Sequence, residues 1–290
     1  MYSKRELIDG FSSWLSLQNY VEHSLETDPK RLTTFIIWMQ TNGAKNIDQI
    51  SGNKVREFFK QLSETKSKKT GEVLSLATQR NYLTTINRFA RYLRQTGQGN
   101  IEVPIKFQGR SSKPRVVLSK AEIKQIYDQC GDSLLGVRDR AILAIFYGCG
   151  MRRNEGSNLV VKDILPDKNL IYISKGKGYK PRYVPIVGQV KKDILNYLII
   201  ARPMLVQSWK HEYFMVGISG KRLSGSSMYE RVRSLVKQSG IEKKVGLHSL
   251  RHSIATHLLI GGMKLSEIAK FLGHSSLEST QIYTHLKDEL

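Results

Sequence analysis

An eighteen-residue stretch, NIEVPIKFQGRSSKPRVV at 100–117, interrupts the helical periodicity of this 290-residue chain and constrains its fold more than any other feature. It carries two prolines, a glycine and four basic residues without a helical apolar repeat, and so predicts an extended interdomain linker. Ahead of it, apolar side chains recur at helical spacing over about 4–20 (Leu7, Ile8, Phe11, Trp14, Leu15, Leu17), 24–40 (Phe35, Ile36, Trp38), 52–62 and 78–95 (Tyr82, Ile86, Phe89, Leu93). These runs predict a four-helix domain over 1–99. On the last run Arg80, Arg88, Arg91 and Arg94 fall largely on other faces, and the polar run SETKSKKTGE at 63–72 reads as a loop.

Beyond the linker the patterning is mixed. Ser119-Lys120-Ala121-Glu122 is a capping box that starts a helix over about 120–130, and a second helix over 136–148 ends at Gly148-Cys149-Gly150. Three strand-like runs follow at 159–164, 169–174 and 182–186, separated by turns at Pro166-Asp167 and Gly176-Lys177-Gly178, and they predict a small antiparallel sheet. Helices are then expected over 190–201, from a cap at Ser227 to Gly240, over 249–260, 266–272 and 277–285. The fold class is therefore mainly α (α+β), with an N-terminal helical domain and a mostly helical domain over 118–290 that holds a three-stranded antiparallel sheet.

Charge narrows the partner. With 46 Lys and Arg against 25 Asp and Glu, the formal net charge is +21. Residues 1–110 hold 17 basic and 10 acidic side chains and the remainder 29 and 15, so both parts face a polyanion, nucleic acid before membrane. The opening Met1-Tyr2-Ser3-Lys4-Arg5 leads into an amphipathic pattern rather than a signal peptide, and no run approaches about 18 apolar residues, which predicts a cytoplasmic protein with no membrane partner. The final KDEL is read as coincidence for want of an entry signal. Cys130 and Cys149 have no metal spacing and are expected as buried thiols.

Three separated places hold reactive side chains: GMRRNE at 150–155, Lys177 at the tip of the glycine-flanked hairpin, and the stretch from His248 to Tyr283 with Arg251, His252 and His274. His248 and His252 are four apart, a spacing that can hold a metal, but Arg251 between them opposes a cation and the glutamate of a metalloprotease helix is absent. No metal or other cofactor is expected.

The motifs GMRRNE, KGKGYKPRYVP at 175–185, HSLRHSIAT at 248–256, LGHSS at 272–276 and TQIYTH at 280–285 resemble, in order and spacing, those of tyrosine recombinases of the phage-integrase family, Xer-like members included. The resemblance covers nearly all of the second domain, and the first has the size of the family's core-binding domain. It implies a site-specific recombinase that cleaves and rejoins DNA through a 3′-phosphotyrosine intermediate without metal or ATP. The partner is a double-stranded DNA recombination site, with a homo-tetramer assembled on two such sites. The roles implied are phosphate binding by Arg152 and Arg251, proton transfer by Lys177 and His248, support of the phosphate by His274 and nucleophilic attack by Tyr283.

Physical chemistry suits these roles. Charge that develops on the non-bridging oxygens of a phosphodiester matches planar guanidinium forks. A 5′-oxygen leaves only when protonated, and a tyrosine of ordinary pKa about 10 must give up its proton during attack. Lys177 fits the first task and His248 the second. Glu155 is expected to orient a neighbouring basic group. Asn154, Gly156 and Tyr179 depart from the family's pattern, and only seven residues follow Tyr283, so contact between subunits is made differently or the tail is truncated. The competing readings are a helix-turn-helix regulator built on 265–283 and a type IB topoisomerase.

Overall fold

The computed structural model describes residues 3–18, 20, 22–67, 70–107, 116–174, 181–206 and 211–273. The chain divides into two compact units, 1–111 and 112–290.

The first unit is built from α1 (Lys4–Leu17), α2 (Glu22–Thr41), α3 (Gly52–Glu64) and α4 (Leu76–Gln95). Serines start three of these helices. Ser3 caps α1 in a reciprocal box with Glu6, while Ser51 and Ser75 accept from the backbone N–H groups of Lys54 and Thr78. The expected apolar stripes converge on a core of Phe11, Leu15, Leu32, Phe35, Ile86, Phe89 and Leu93, each fully buried and together the main stabilisation of this unit, at about 1.5–3 kcal/mol per large side chain. Leu17, read as part of the stripe, is 79% exposed. The polar run at 63–72 is less irregular than expected: Lys66 and Val73 form an antiparallel bridge, with Leu74 N donating to Thr65 O at 2.9 Å. Of the stretch read as linker, Ile101 is buried and Val103, Ile105 and Phe107 pack on the same core.

The second unit is mostly helical: α5 (Lys120–Asp128), α6 (Leu134–Leu143), α7 (Arg153–Asn158), α8 (Gly188–Asn196), α9 (Arg202–Val206), α10 (Gly225–Gln238), α11 (Leu247–Ile260) and α12 (Leu265–Leu272). The capping box at Ser119 and Glu122 forms as predicted. The cap of α10 is Ser224 instead of Ser227, because the Ser224 hydroxyl accepts from Ser227 N at 3.0 Å and draws Ser227 into the first turn. After α6 the chain runs into a π turn at Ala144–Gly148, an irregularity that re-aims the segment leading to α7.

Strands β1 (Ile164–Leu165), β2 (Leu170–Ile173) and β3 (Arg182–Pro185) form an antiparallel sheet in that order, with Ile173 opposite Arg182. The first strand is shorter than the predicted 159–164. Leu159 and Val161 exchange backbone hydrogen bonds with Phe214 and Glu212 rather than with β2, and Val161–Asp163 curl into a 3-10 turn. Along β3 the residues alternate, Arg182 and Val184 inward and Tyr183 and Pro185 outward, as the period of a strand requires. This alternation delivers a guanidinium to the interior of the unit.

Candidate active site

The site starts at a backbone bend. Gly150 has a φ of 59°, which favours glycine, and a Cβ there would lie 2.8 Å from Leu272 Cδ2 and 3.1 Å from the Phe271 ring. The π turn and this glycine bring the chain round so that Arg152 stands at the N-cap of α7, with its side chain next to the end of α12. The end of α12 is shaped by Gly273, which closes the helix in the left-handed conformation (φ 65°, ψ 48°).

Three consecutive carbonyls at that end accept from three arginines. Phe271 O accepts from Arg182 Nε at 3.0 Å; Leu272 O accepts from Arg251 at 2.7 Å and from Arg152 at 3.3 Å; Gly273 O accepts from Arg152 at 2.9 Å. Arg251, 3% exposed, also donates to Gly150 O. The last carbonyls of a helix carry its partial negative charge and attract cations.

Glu155 ties the cluster together. Its carboxylate accepts a two-pronged fork from Arg182, with both distances 2.9 Å, and one bond each from the side chain and the backbone N–H of Arg152, both 2.8 Å. Arg251 stands 4.0 Å away. Burial alone would raise this carboxyl, but the hydrogen bonds and charge of Arg182, followed by those of Arg152, outweigh it and hold the group at about 2. Glu155 is therefore ionised throughout the ordinary pH range. One carboxylate beside three guanidiniums leaves an excess of positive charge.

The structure thus brings Arg152 and Arg251 together from α7 and α11, as the motifs imply. His248 lies exposed in the first turn of α11, three residues before Arg251 and on a neighbouring position of the helix surface. Lys177, His274 and Tyr283 lie outside the described residues, as do the hairpin tip and the helix expected over 277–285. The role expected for Glu155 agrees with its contacts. Arg182 was not singled out from the sequence, although its place two residues before Val184 on a predicted strand marks it as inward-facing. Among the described residues no group of three metal-ligating side chains forms, and no helix is long and apolar enough to cross a membrane.

The chain as a whole resembles known proteins. The model of the phage integrase family matches residues 116–289. The chain is similar to the tyrosine recombinase XerC of Oceanobacillus iheyensis, 30% identical over 290 residues that span 98% of this chain and 92% of the relative. It is similar to the tyrosine recombinase XerD of Lacticaseibacillus casei as well, 29% identical over 98% of this chain and 94% of that one. Among solved structures, the XerA recombinase shares 26% identity at a TM-score of 0.55 over 99% of this chain and 95% of that chain. In fold alone, the XerH recombinase bound to its palindromic difH substrate matches at a TM-score of 0.75 and 24% identity, over 96% of this chain and 82% of that one. With more than half of the sequence matched by the family model and relatives aligned along nearly all of it, the chain belongs to the phage integrase family and is a tyrosine recombinase of the Xer type.

Proposed function

We propose that this site-specific recombinase breaks and rejoins DNA through Tyr283, with Arg152 and Arg251 holding the scissile phosphate. The observation that carries the reading is the convergence of two guanidiniums from distant parts of the sequence on one buried carboxylate and one helix end, with positive charge in excess. In the reaction the Tyr283 oxygen bonds to phosphorus and the bond from phosphorus to the 5′-oxygen breaks. His248 takes the phenolic proton and Lys177 protonates the departing oxygen, with His274 supporting the phosphate. Attack by the 5′-hydroxyl of another strand reverses the step and joins the strands anew, so neither ATP nor a metal enters the balance.

The first unit serves as a core-binding domain: its charge is positive, and Arg91 and Arg94 are exposed on α4. Together with 118–290 it holds the duplex, and four copies assemble on two recombination sites. The protein acts in the cytoplasm, where that DNA is. Near full-length similarity to named recombinases disfavours the topoisomerase and regulator readings, and α12, the first helix of the supposed helix-turn-helix, has its apolar face packed on α11 through Ile268 and Leu272.

The test is covalent trapping. A pool of nicked duplexes of random sequence, incubated with the full chain, yields a protein–DNA adduct that resists denaturation, and Tyr283→Phe yields none. Absence of an adduct from the whole pool, or an adduct that survives Tyr283→Phe, overturns the reading. Binding to the captured site weakens steeply as salt rises, because each phosphate contact releases counterions.

A further inference from the structure

We infer that Arg182, on β3, is a positioning residue for strand cleavage: it takes up the carboxylate of Glu155 and anchors the last turn of α12, and so fixes where Arg152 and Arg251 stand. The inference rests on the cleavage reading above and adds to it a side chain that the reading leaves without a task.

Three observations carry it. Arg182 is 9% exposed, and its bonds go to two structures at once: the fork to both oxygens of Glu155, and Nε to Phe271 O. Both of those structures also hold the phosphate-binding arginines. Glu155 bonds Arg152, and Leu272, the residue after Phe271, accepts from Arg152 and Arg251. The packing is built around this one side chain, since a Cβ on Gly273 would meet its guanidinium at 2.8–3.1 Å.

The electrostatics give the arrangement a purpose. A buried carboxylate beside Arg152 and within 4.0 Å of Arg251 would, with no other cation, turn fully onto these two and neutralise charge that the phosphate needs. Arg182 bonds both of its oxygens and shares them with Arg152. The charged groups facing Glu155 among the described residues are Arg152 from α7, Arg182 from β3 and Arg251 from α11; the Cys149 thiol, which burial pushes up to about 12, adds no charge. Lysine can take over only in part, because a point charge on a flexible stem keeps the carboxylate paired but makes neither the fork nor the third bond.

The experiment measures single-turnover adduct formation by the full chain on a nicked duplex carrying the site captured by the wild type, from pH 5.5 to 8.5. Arg182→Ala is expected to slow it about 100-fold, as a small misplacement of reacting groups does. The loss should ease toward low pH, because Glu155, still buried but without its principal partner, then takes up a proton and no longer draws Arg152 and Arg251 from the phosphate. Arg182→Lys should recover part of the rate and a pH profile close to that of the wild type. An Arg182→Ala loss that is the same at every pH, or an Arg182→Lys rate equal to that of the wild type, would mean that Arg182 only fills and neutralises the core and would overturn the inference. Should Arg182→Ala not fold, the Lys variant decides alone: a wild-type rate at all pH values sinks the proposal. If the wild type forms no adduct at all, the cleavage reading fails first and this inference with it.

Discussion

Each unit of the molecule buries a carboxylate among arginines, and the clusters around Asp28 and Glu155 behave differently. In the first, Asp28 on α2 bonds Arg31 at 2.9 Å, Arg88 and the Thr85 hydroxyl at 2.9 Å. Arg88 in turn donates to Ser24 and lies over the Tyr20 ring, 4.5 Å from its centroid. Every partner is a side chain of the same helical unit, so the cluster is a brace between α2 and α4. Around Glu155 the partners also hold the open carbonyls of a helix end, and a third guanidinium stands just beyond bonding distance. The same chemical device joins two helices through side chains alone in one unit and takes in a helix end and a third guanidinium in the other.

Substitutions can break this contrast, and the largest effect falls on the second cluster. Arg251→Ala should lower the rate of adduct formation about 1000-fold, the scale of removing one oxyanion donor. Asp28→Ala, measured at saturating DNA, should leave that rate within a few-fold; an equal loss from both would erase the distinction. Stability should reverse the order: Asp28→Ala leaves two partly buried guanidiniums without their anion and is expected to cost about 3 kcal/mol in urea unfolding.

Acid sharpens the comparison. Glu155 has a folded-state value of about 2, below its value in the unfolded chain, so its contribution is fully present above about pH 4.5 and is lost as pH falls toward 2. The amount is about 3 kcal/mol, and Glu155→Gln should flatten the stability of the second unit across that window. Gly273→Ala imposes a left-handed alanine, at about 1 kcal/mol, and displaces the Arg182 guanidinium; its adduct rate should fall about tenfold with little change in DNA affinity. The smallest effect concerns Cys130 and Cys149, whose thiols burial pushes up to about 12. Neither should react with iodoacetamide at pH 8 until the chain unfolds.

The sequence disclosed elements whose information is local. Serine caps, apolar stripes and the alternation of β3 each depend on neighbours a few residues away, and they placed helices and sheet with small errors at the ends. The errors have tertiary causes. The 159–161 segment pairs with 212–214, a partner that no local pattern announces, and α10 starts at Ser224 because two serines competed for one cap. Arg88 illustrates the same limit: its spacing put it off the apolar face, but a carboxylate 60 residues away turned it inward.

The site was legible where motifs resemble those of a family, and silent where its logic is spatial. Arg152 and Arg251 were picked out by motif, and Glu155 was credited with orienting a basic group. Arg182 escaped notice because, although strand alternation turns it inward with Val184, its partners Glu155 and Phe271 lie 27 and 89 residues away in the sequence.

The left-handed glycine that ends α12 also makes this helix end a mechanical joint. Through its last three carbonyls α12 is tied to Arg152 at the start of α7, Arg182 on β3 and Arg251 on α11, so a displacement of any one of these elements is passed to the other two.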